Sequence, residues 1–564
     1  MWLALLLSLA AFAAHASYFG SWLIDDAGIS FAYARNLAAG AGLTSQPSAA
    51  PVEGFSNPAW TLTLSALYRV VDVREPGTLK LLAFLLVVPV FVVIWRDMAE
   101  ARPRIVVATA LGVLAACSPF VIWTISGLEN ALLACLVVAS CGLARDHAVR
   151  LEPAGRLDAL AGALAALAAL ARPDAILYAP LYPATVAVVC VAAGRYRDLA
   201  RRWLAMAAGF APIFFGYLAF RVAFFGEWVP NTFYAKGRPS ITGLLAPRKF
   251  LELAESAFGD FMWPALIVGA VYVALLLVRR RLSRRTGVLV GYTGVAAAAY
   301  LMMPLDWMGE HRFATAFFPL AYWLVADLVA TAWPGAGWPR SRMAALGAAV
   351  VTLLFAAQAA TIFAARSRVF AANPPVPLED TRRIGGRGFN RLAEQLDIDH
   401  PSLLTPDLGG VLLESRLRVY DLAGLCDTVI ARAQGSDGDI AALHRYVFET
   451  TRPTFIHTSG SFQRTARLYE DPRLGTDYVP LHESWDVPAP WAARWPEQGA
   501  SPPWWADYVR RDALGPDLEK LEALRATYRR LHMDAYEPWI ASPDRLRSGW
   551  PQMTWAVRVL HGRG

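Results

Sequence analysis

Long apolar stretches separated by short polar segments make up the first two thirds of the chain, and no other feature constrains the fold as strongly. A helix needs about 20 apolar residues to cross the hydrocarbon core of a bilayer. The composition agrees, because 56% of the 564 residues are hydrophobic and 18% are charged, whereas soluble proteins have about 45–50% and about 25%. We therefore predict an α-helical polytopic membrane protein with about eleven transmembrane helices. The predicted spans are residues 2–23, 77–95, 105–125, 128–144, 157–171, 175–193, 203–225, 261–278, 287–303, 313–332 and 343–364.

The first apolar stretch has two interpretations. Ala14-His15-Ala16 resembles the cleavage site of a signal peptide. However, no Lys or Arg precedes the stretch, and it continues through Leu23. We therefore predict an uncleaved membrane span.

Arginine residues are concentrated in alternate loops. Residues 279–285 are the densest group, whereas the short loops on the other side contain only Arg172 and Arg312. Since cytoplasmic loops carry the excess of Lys and Arg, we predict a cytoplasmic N-terminus and an external position for the loops at 24–76 and 226–260. The net charge of +7 then reflects topology and does not indicate a nucleic-acid partner.

Residues 366–564 have the composition of a soluble domain, and the odd number of spans places them outside the membrane. We expect a compact α/β or α+β extracytoplasmic domain after a transmembrane module at 1–365. Its predicted elements are strands at 402–405 and 454–457 and helices at 387–396 and 516–531. Its tryptophans could grip a glycan, pack on the membrane or form the core; they are Trp485, Trp491, Trp495, Trp504, Trp505, Trp539, Trp550 and Trp555.

Two adjacent carboxylates, Asp25 and Asp26, follow the first span directly. Such a pair at a membrane boundary is costly unless it is hydrated, ion-paired or used in function. Helical spacing of apolar residues follows at Ile29, Ala32, Tyr33 and Leu37. We predict a short amphipathic helix on the outer surface. Asp26 could be only its N-cap, but a cap needs one carboxylate and leaves the other unexplained.

The same loop contains Glu53 and Asn57, which no apolar periodicity explains. Their alternative interpretation is an ordinary turn built on Gly54 and Pro58. A second surface helix is indicated after them by Leu62, Leu64, Leu67 and Val70.

Short motifs occur in order along most of the chain. They are Asp25–Leu37 with Gly40 and Gly42, Val52-Glu53 with Trp60, Ser126–Glu129, Arg172–Asp174, Val229–Lys236, Asp306–Phe313, Asp407–Gly410 and Tyr420–Leu425. The ordered set resembles the GT-C superfamily of membrane glycosyltransferases. Within it, the set is most similar to the mycobacterial terminal arabinofuranosyltransferases and their bacterial relatives.

The resemblance implies an enzyme of the bacterial cytoplasmic membrane. Such enzymes transfer a sugar from a polyprenyl-phosphate donor to a glycan, lipid or protein acceptor at the outer face. The resemblance also implies that the first outer loop carries the acidic residues of the active site. It leaves the sugar open, whether arabinofuranosyl, another pentosyl or a hexosyl group.

The chemistry of such a transfer requires a carboxylate that takes the proton of the acceptor hydroxyl, because a neutral hydroxyl is a poor nucleophile. The candidate catalytic residues are Asp25, Asp26 and Glu53, and the sequence does not distinguish the two aspartates as the base. Direct displacement by the acceptor predicts inversion at the anomeric carbon. Carboxylates also suit Mg²⁺ or Mn²⁺, although no ligand spacing indicates a metal.

Cations must stabilise the phosphate as it leaves. The candidates for this role are Lys236, His311, Arg312 and Arg172. The candidates for other substrate contacts are Arg35, Asn36, Asn57, Glu129, Asn231 and Asp306. Each of three candidates also has a structural interpretation. Arg172 could form a local ion pair with Asp174, and Lys236 could reach lipid headgroups. Glu129 could interact favourably with the N-terminus of the helix that follows it.

The main alternative function is a transporter or flippase of lipid-linked saccharides. It would require charged residues along the bundle interior and an internal repeat. The sequence has few charges within its spans and no repeat. It also contains no GxSxG, P-loop or CxxC motif, which argues against a hydrolase or an ATP-driven machine.

Overall fold

The computed structural model contains a helix in every one of the eleven predicted spans. It describes residues 2–47, 49–99, 104–152, 155–236, 244, 246–278, 282–304, 306, 308–332, 339–434, 438–484, 503, 505–515 and 520–533. The helices of the bundle and its loops are α1 (Trp2–Tyr18), α2 (Asp25–Ala38), α3 (Pro58–Tyr68), α4 (Pro76–Asp97), α5 (Arg104–Ala116), α6 (Ser118–Thr124), α7 (Asn130–Leu143), α8 (Gly155–Ala171), α9 (Leu181–Ala192), α10 (Tyr196–Phe225), α11 (Thr232–Ala235), α12 (Pro247–Phe258), α13 (Met262–Val278), α14 (Arg284–Met302), α15 (Phe317–Ala332) and α16 (Pro339–Ala372).

The length and composition of these helices confirm a polytopic membrane architecture. Within the described residues, six helical segments are long and apolar enough to span a bilayer. A seventh span is added if α5 and α6, which meet at 56°, count as one broken helix. The figure of eleven spans stays a prediction, because α1 and α15 are apolar but shorter, and α8 and α14 are not among the candidate spans.

Buried ion pairs join helix ends that the predicted topology places on the same side. Near the predicted inner ends, Arg145 donates to Asp97 and to Asp327, each at 2.8 Å. Near the predicted outer ends, Arg366 pairs with Glu310 at 2.9 Å. Charged groups among membrane helices pair with each other because an unpaired charge there is costly. These contacts support the alternating direction of the helices, while the side that faces the cytoplasm stays a prediction.

The loop at 24–76, which is predicted to lie outside, contains the two predicted helices, α2 and α3. The prediction that α2 lies on the surface is wrong, because most of its residues are buried, including polar Ser30 and Asn36. The C-terminal domain covers the polar face of α2, which the spacing of its apolar residues predicts to be exposed to solvent. Gly28 of α2 contacts Gly409 of that domain so closely that no side chain fits between them.

The C-terminal domain is built on a five-stranded sheet of order β2-β1-β3-β5-β4. The first three strands are parallel, and β5 pairs antiparallel with both β3 and β4. Its elements are α17 (Leu378–Thr381), α18 (Phe389–Ala393), β1 (Ser402–Thr405), α19 (Gly409–Glu414), β2 (Arg418–Asp421), α20 (Thr428–Ala433), α21 (Ile440–Arg445), β3 (Phe455–Ser459), α22 (Ser461–Ala466), α23 (Pro472–Asp477), β4 (Tyr478–Ser484), β5 (Trp505–Arg510) and α24 (Leu521–Tyr528).

The predicted elements of this domain are recovered with shorter or shifted boundaries. Strand β1 has the predicted bounds, and β3 begins one residue later than predicted. The predicted helices correspond to α18 and α24, each of which adjoins a π-helical turn. Of the tryptophans in the last part of the chain, only Trp505 lies within the described residues.

Candidate active site

The Asp25 side chain anchors α2 to the C-terminal domain. Its carboxylate accepts hydrogen bonds from the backbone N–H groups of Gly409 (3.1 Å) and Gly410 (2.7 Å). It also accepts one from the Thr381 hydroxyl at 2.5 Å. Burial raises the pKa of Asp25 to about 7, and the negative charge of Asp407 contributes to the rise. These three hydrogen bonds engage both carboxylate oxygens of Asp25, and they hold α2 against the C-terminal domain.

The neighbouring carboxylate, Asp26, is available instead. Its side chain is 26% exposed, and its nearest charged partner is Arg312, with Nη1 3.8 Å from Oδ2. In the part of the chain that the structure describes, no hydrogen bond holds this carboxylate. The geometry therefore favours Asp26 over Asp25 as the base.

Arg312 lies in a short polar loop before α15 and is held on several sides. Its Nε atom is 3.0 Å from Asp306 Oδ2, and Nη1 contacts Met308 Sδ at 2.8 Å. The guanidinium also lies over the ring of Phe313, 4.6 Å from its centroid. Arginine in such a fixed position presents a planar set of donors suited to phosphate.

Arg172 lies on the same aromatic ring, 4.8 Å from the Phe313 centroid. It forms the predicted local ion pair with Asp174 at 3.0 Å and a second pair with Glu129 at 3.2 Å. Glu129 in turn accepts a hydrogen bond from Asn57 Nδ2 at 2.7 Å. The fold thus brings Asp26, Asp306, Arg312, Arg172, Glu129 and Asn57 into one cluster at the end of the bundle.

Glu53, a predicted catalytic residue, is only 2% exposed and fully engaged. It pairs with Arg221 at 2.5 Å and accepts a hydrogen bond from Tyr217 at 2.7 Å, both from α10. Burial raises the pKa of Glu53, which the Arg221 charge opposes. This arrangement indicates that Glu53 fixes the loop, and its catalytic role stays a prediction. A charged residue inside a predicted span was the signal for Arg221.

Four other predicted residues make structural contacts or stand apart. Asn231 donates to the carbonyls of Gly424 and Leu425 at 2.8 and 2.9 Å. Arg35 donates to the carbonyls of Leu413 and Leu412, which end α19. Asn36 donates to the Thr44 carbonyl at 2.8 Å. Lys236 is exposed after α11.

His311 is buried beside Arg312 and is bonded to the Tyr300 hydroxyl at 2.8 Å. Burial lowers the pKa of His311 to about 3, and the charges of Arg366 and Lys249 act in the same direction. The imidazole is therefore neutral at pH 7 and can meet a phosphate only through a hydrogen bond. Sequence analysis missed Lys249, whose ammonium group donates to the carbonyls of Tyr300 and Met303 at the end of α14.

Metal dependence stays open. Among the described residues, no group of three or more His, Cys, Asp or Glu side chains is arranged to hold a metal ion. The carboxylates of the cluster are paired with arginines instead.

A second buried ionisable group lies in the C-terminal domain. His457 of β3 is bonded to Asp507 of β5 at 2.8 Å and to Asp407 at 3.3 Å. Burial alone would lower the pKa of His457, but the two carboxylates raise it to about 10. The imidazolium is therefore charged at neutral pH.

This ion pair predicts a pH-dependent stability. Since the folded-state pKa of about 10 exceeds the ordinary 6.5, the stabilisation is complete below pH 6.5 and is lost as pH rises to 10. We expect the free energy of unfolding to fall over this range by up to about 5 kcal/mol. Denaturant unfolding of His457→Asn should show a flatter pH dependence, and the exposed His400→Asn should match the wild type. An unchanged slope in His457→Asn would contradict the assignment.

No protein-family model matches the chain, and no curated protein matches it. Among solved structures, ArnT from Cupriavidus metallidurans in the apo state matches with a TM-score of 0.55 and 13% identity over 91% of this chain and 98% of that one. ArnT bound to undecaprenyl phosphate matches with a TM-score of 0.52 and 12% identity, over 91% and 99%. The Archaeoglobus fulgidus oligosaccharyltransferase matches with a TM-score of 0.52 and 11% identity, over 90% and 88%. The chain therefore has the GT-C fold.

Proposed function

We propose that the protein is an inverting glycosyltransferase. It moves a sugar from a polyprenyl-phosphate donor to a glycan, lipid or protein acceptor at the outer face of the cytoplasmic membrane. The observation that carries this proposal is the position of Asp26, an accessible carboxylate that faces Arg312 where the bundle meets the C-terminal domain. A base beside a fixed cation is what transfer from a phosphate ester requires.

In the proposed reaction, Asp26 takes the proton of an acceptor hydroxyl as its oxygen attacks the anomeric carbon. The bond between that carbon and the phosphate oxygen breaks, and the polyprenyl phosphate leaves with the bonding electrons. Arg312 stabilises the charge that grows on the phosphate. Because attack and departure occur on opposite faces of the carbon, the product has inverted configuration.

The choice of donor rests on the structural likeness and on the resemblance of the motifs. The ArnT structure contains undecaprenyl phosphate, and its fold is shared over 91% of this chain. The resemblance to arabinofuranosyltransferases makes arabinofuranose one candidate sugar, beside other pentoses and hexoses. The structural neighbours do not bear on that choice.

A donor panel tests the proposal. The purified protein in proteoliposomes would receive polyprenyl-phosphate sugars one at a time, together with glycans and lipids extracted from bacterial envelopes. Mass spectrometry should detect a new glycoside with at least one donor. Release of intact saccharide on the far side of the bilayer without a new glycosidic bond would favour the transporter instead.

Arg312 should determine affinity for the phosphate. We expect Arg312→Gln to weaken binding of undecaprenyl phosphate at least tenfold, because a charge-assisted, bidentate pair of hydrogen bonds to the phosphate is lost. The affinity of Arg312→Lys should lie between those of the wild type and Arg312→Gln, since lysine keeps the positive charge but lacks the planar guanidinium group. Binding would be measured by microscale thermophoresis, with the exposed Arg368→Gln as control. Equal affinity in the wild type and Arg312→Gln would remove Arg312 from the donor site.

A further inference from the structure

The strand order of the C-terminal sheet predicts a crevice beside the beginning of α2, where Gly409 meets Asp25. The chain passes from β1 to β2 on one side and then to β3 on the other, so the strand order is β2-β1-β3. In open parallel sheets, ligands bind outside the carboxyl ends of strands at such a switch point. Asp407 follows β1 there, and His457 lies in β3 one residue beyond the pairing of Leu404 with Ile456.

Part of this crevice is already filled. The N–H groups of Gly409 and Gly410, which follow β1, are bound to the carboxylate of Asp25. A ligand bound at this switch point would therefore lie against the beginning of α2, where Asp26 is located. The side chain of Asp407, which follows β1, is 35% exposed.

A chain of hydrogen bonds through His457 holds Asp407 in a fixed position. His457 contacts its Oδ2 atom at 3.3 Å, and His457 is held in turn by Asp507, which is fully buried. Asp507 accepts further hydrogen bonds from Trp505 and Tyr528. The other oxygen of Asp407, Oδ1, makes no hydrogen bond to any described residue. A carboxylate oxygen fixed in this way is ready to accept a hydrogen bond from a ligand.

We propose that this crevice is the acceptor subsite, and that Asp407 accepts a hydrogen bond from a hydroxyl of a polyhydroxylated, glycan-like acceptor. The inference rests on the proposed function and specifies its acceptor. The proposed subsite explains why the buried imidazolium of His457 holds Asp407 in place although the Asp407 side chain is accessible. It also places the acceptor beside Asp26, which must take a proton from it.

Acceptor titrations of Asp407→Asn test the subsite. We expect the half-saturating concentration of an acceptor found in the donor panel to rise at least tenfold, because the amide oxygen of the introduced asparagine would face the His457 N–H and leave an NH2 group, which cannot accept a hydrogen bond, toward the acceptor. The affinity for undecaprenyl phosphate should stay unchanged. Asp399→Asn, an exposed change in the same domain, should behave like the wild type. Unaltered acceptor dependence in a folded Asp407→Asn protein would overturn the proposal.

A binding measurement separates this proposal from the proposed function. Saturation-transfer NMR with a panel of methyl glycosides should show contacts with the wild type and lose them in Asp407→Asn. If no donor supports transfer but this pattern appears, glycan binding at Asp407 stands, while the transferase assignment and the acceptor role fail. If transfer occurs but Asp407→Asn binds glycosides like the wild type, only the subsite fails. Should Asp407→Asn not fold, Asp407→Glu keeps the charge while displacing it and should still weaken binding.

Discussion

Replacing Asp26 with asparagine should lower the turnover number for sugar transfer by about 10²- to 10⁴-fold, the usual contribution of a general base. Asparagine has nearly the same size but cannot take a proton from the acceptor hydroxyl. Because the Asp26 side chain is partly exposed and makes no hydrogen bond to a described residue, the protein should stay folded. The measurement is initial velocity at saturating donor, with thermal unfolding recorded on the same preparation.

Two comparisons make the Asp26 result specific. Asp72→Asn removes an exposed carboxylate from the same loop, one that pairs with Arg74 alone among the described residues, and should retain full activity. Asp25→Asn should differ in kind, since an amide cannot accept all three of the hydrogen bonds at that position. It should lower stability along with activity. Full activity of a folded Asp26→Asn protein would exclude Asp26 as the base.

Replacing Gly409 with alanine should produce the largest loss of stability. A β-carbon at this position would lie 1.7 Å from the carbonyl oxygen of Asp25 and 2.6 Å from its carbonyl carbon. Backbone atoms cannot move aside as a flexible side chain can, so α2 and the C-terminal domain must separate. We expect destabilisation of at least about 3 kcal/mol, beyond the usual cost of overpacking. Thermal unfolding in detergent measures it.

The same change should also abolish transfer, because the contact with Gly409 positions the helix that carries Asp26. Gly475→Ala is the matched control, since a β-carbon there meets no atom within 4 Å. Gly28→Ala approaches the same contact from the other side, 2.5 Å from the Gly409 carbonyl carbon, and should resemble Gly409→Ala. A Gly409→Ala protein as stable as Gly475→Ala would show that this packing is not required.

Features governed by local pattern were predictable from the sequence. The length of each apolar stretch was enough to predict a helix in each of the eleven spans, without any periodic pattern of polar residues. Apolar spacing also predicted α2 and α3, and the short β-branched and apolar runs predicted β1 and β3. The motif Asp407–Gly410 was visible only as one member of the ordered set that resembles the GT-C superfamily.

Features governed by distant contacts were not predictable. The partners of Asp25 lie 384 and 385 positions further along the chain, so only the fold could show which aspartate is engaged and which is available. Glu53 is a similar case, because its partner Arg221 lies 168 positions further along the chain, and the charge of Arg221 within a predicted span does not identify that partner. The burial of α2 also depends on a domain that its own sequence does not encode.

The stereochemistry of the product tests the central claim most directly. The wild-type protein would be supplied with a donor of known anomeric configuration, and the glycoside would be examined by NMR and by digestion with configuration-specific glycosidases. Direct displacement assisted by Asp26 predicts a product of inverted configuration, which Asp26→Asn should form at least about 100-fold more slowly. A product of retained configuration, or movement of saccharide across the bilayer with no new glycosidic bond, would contradict the account.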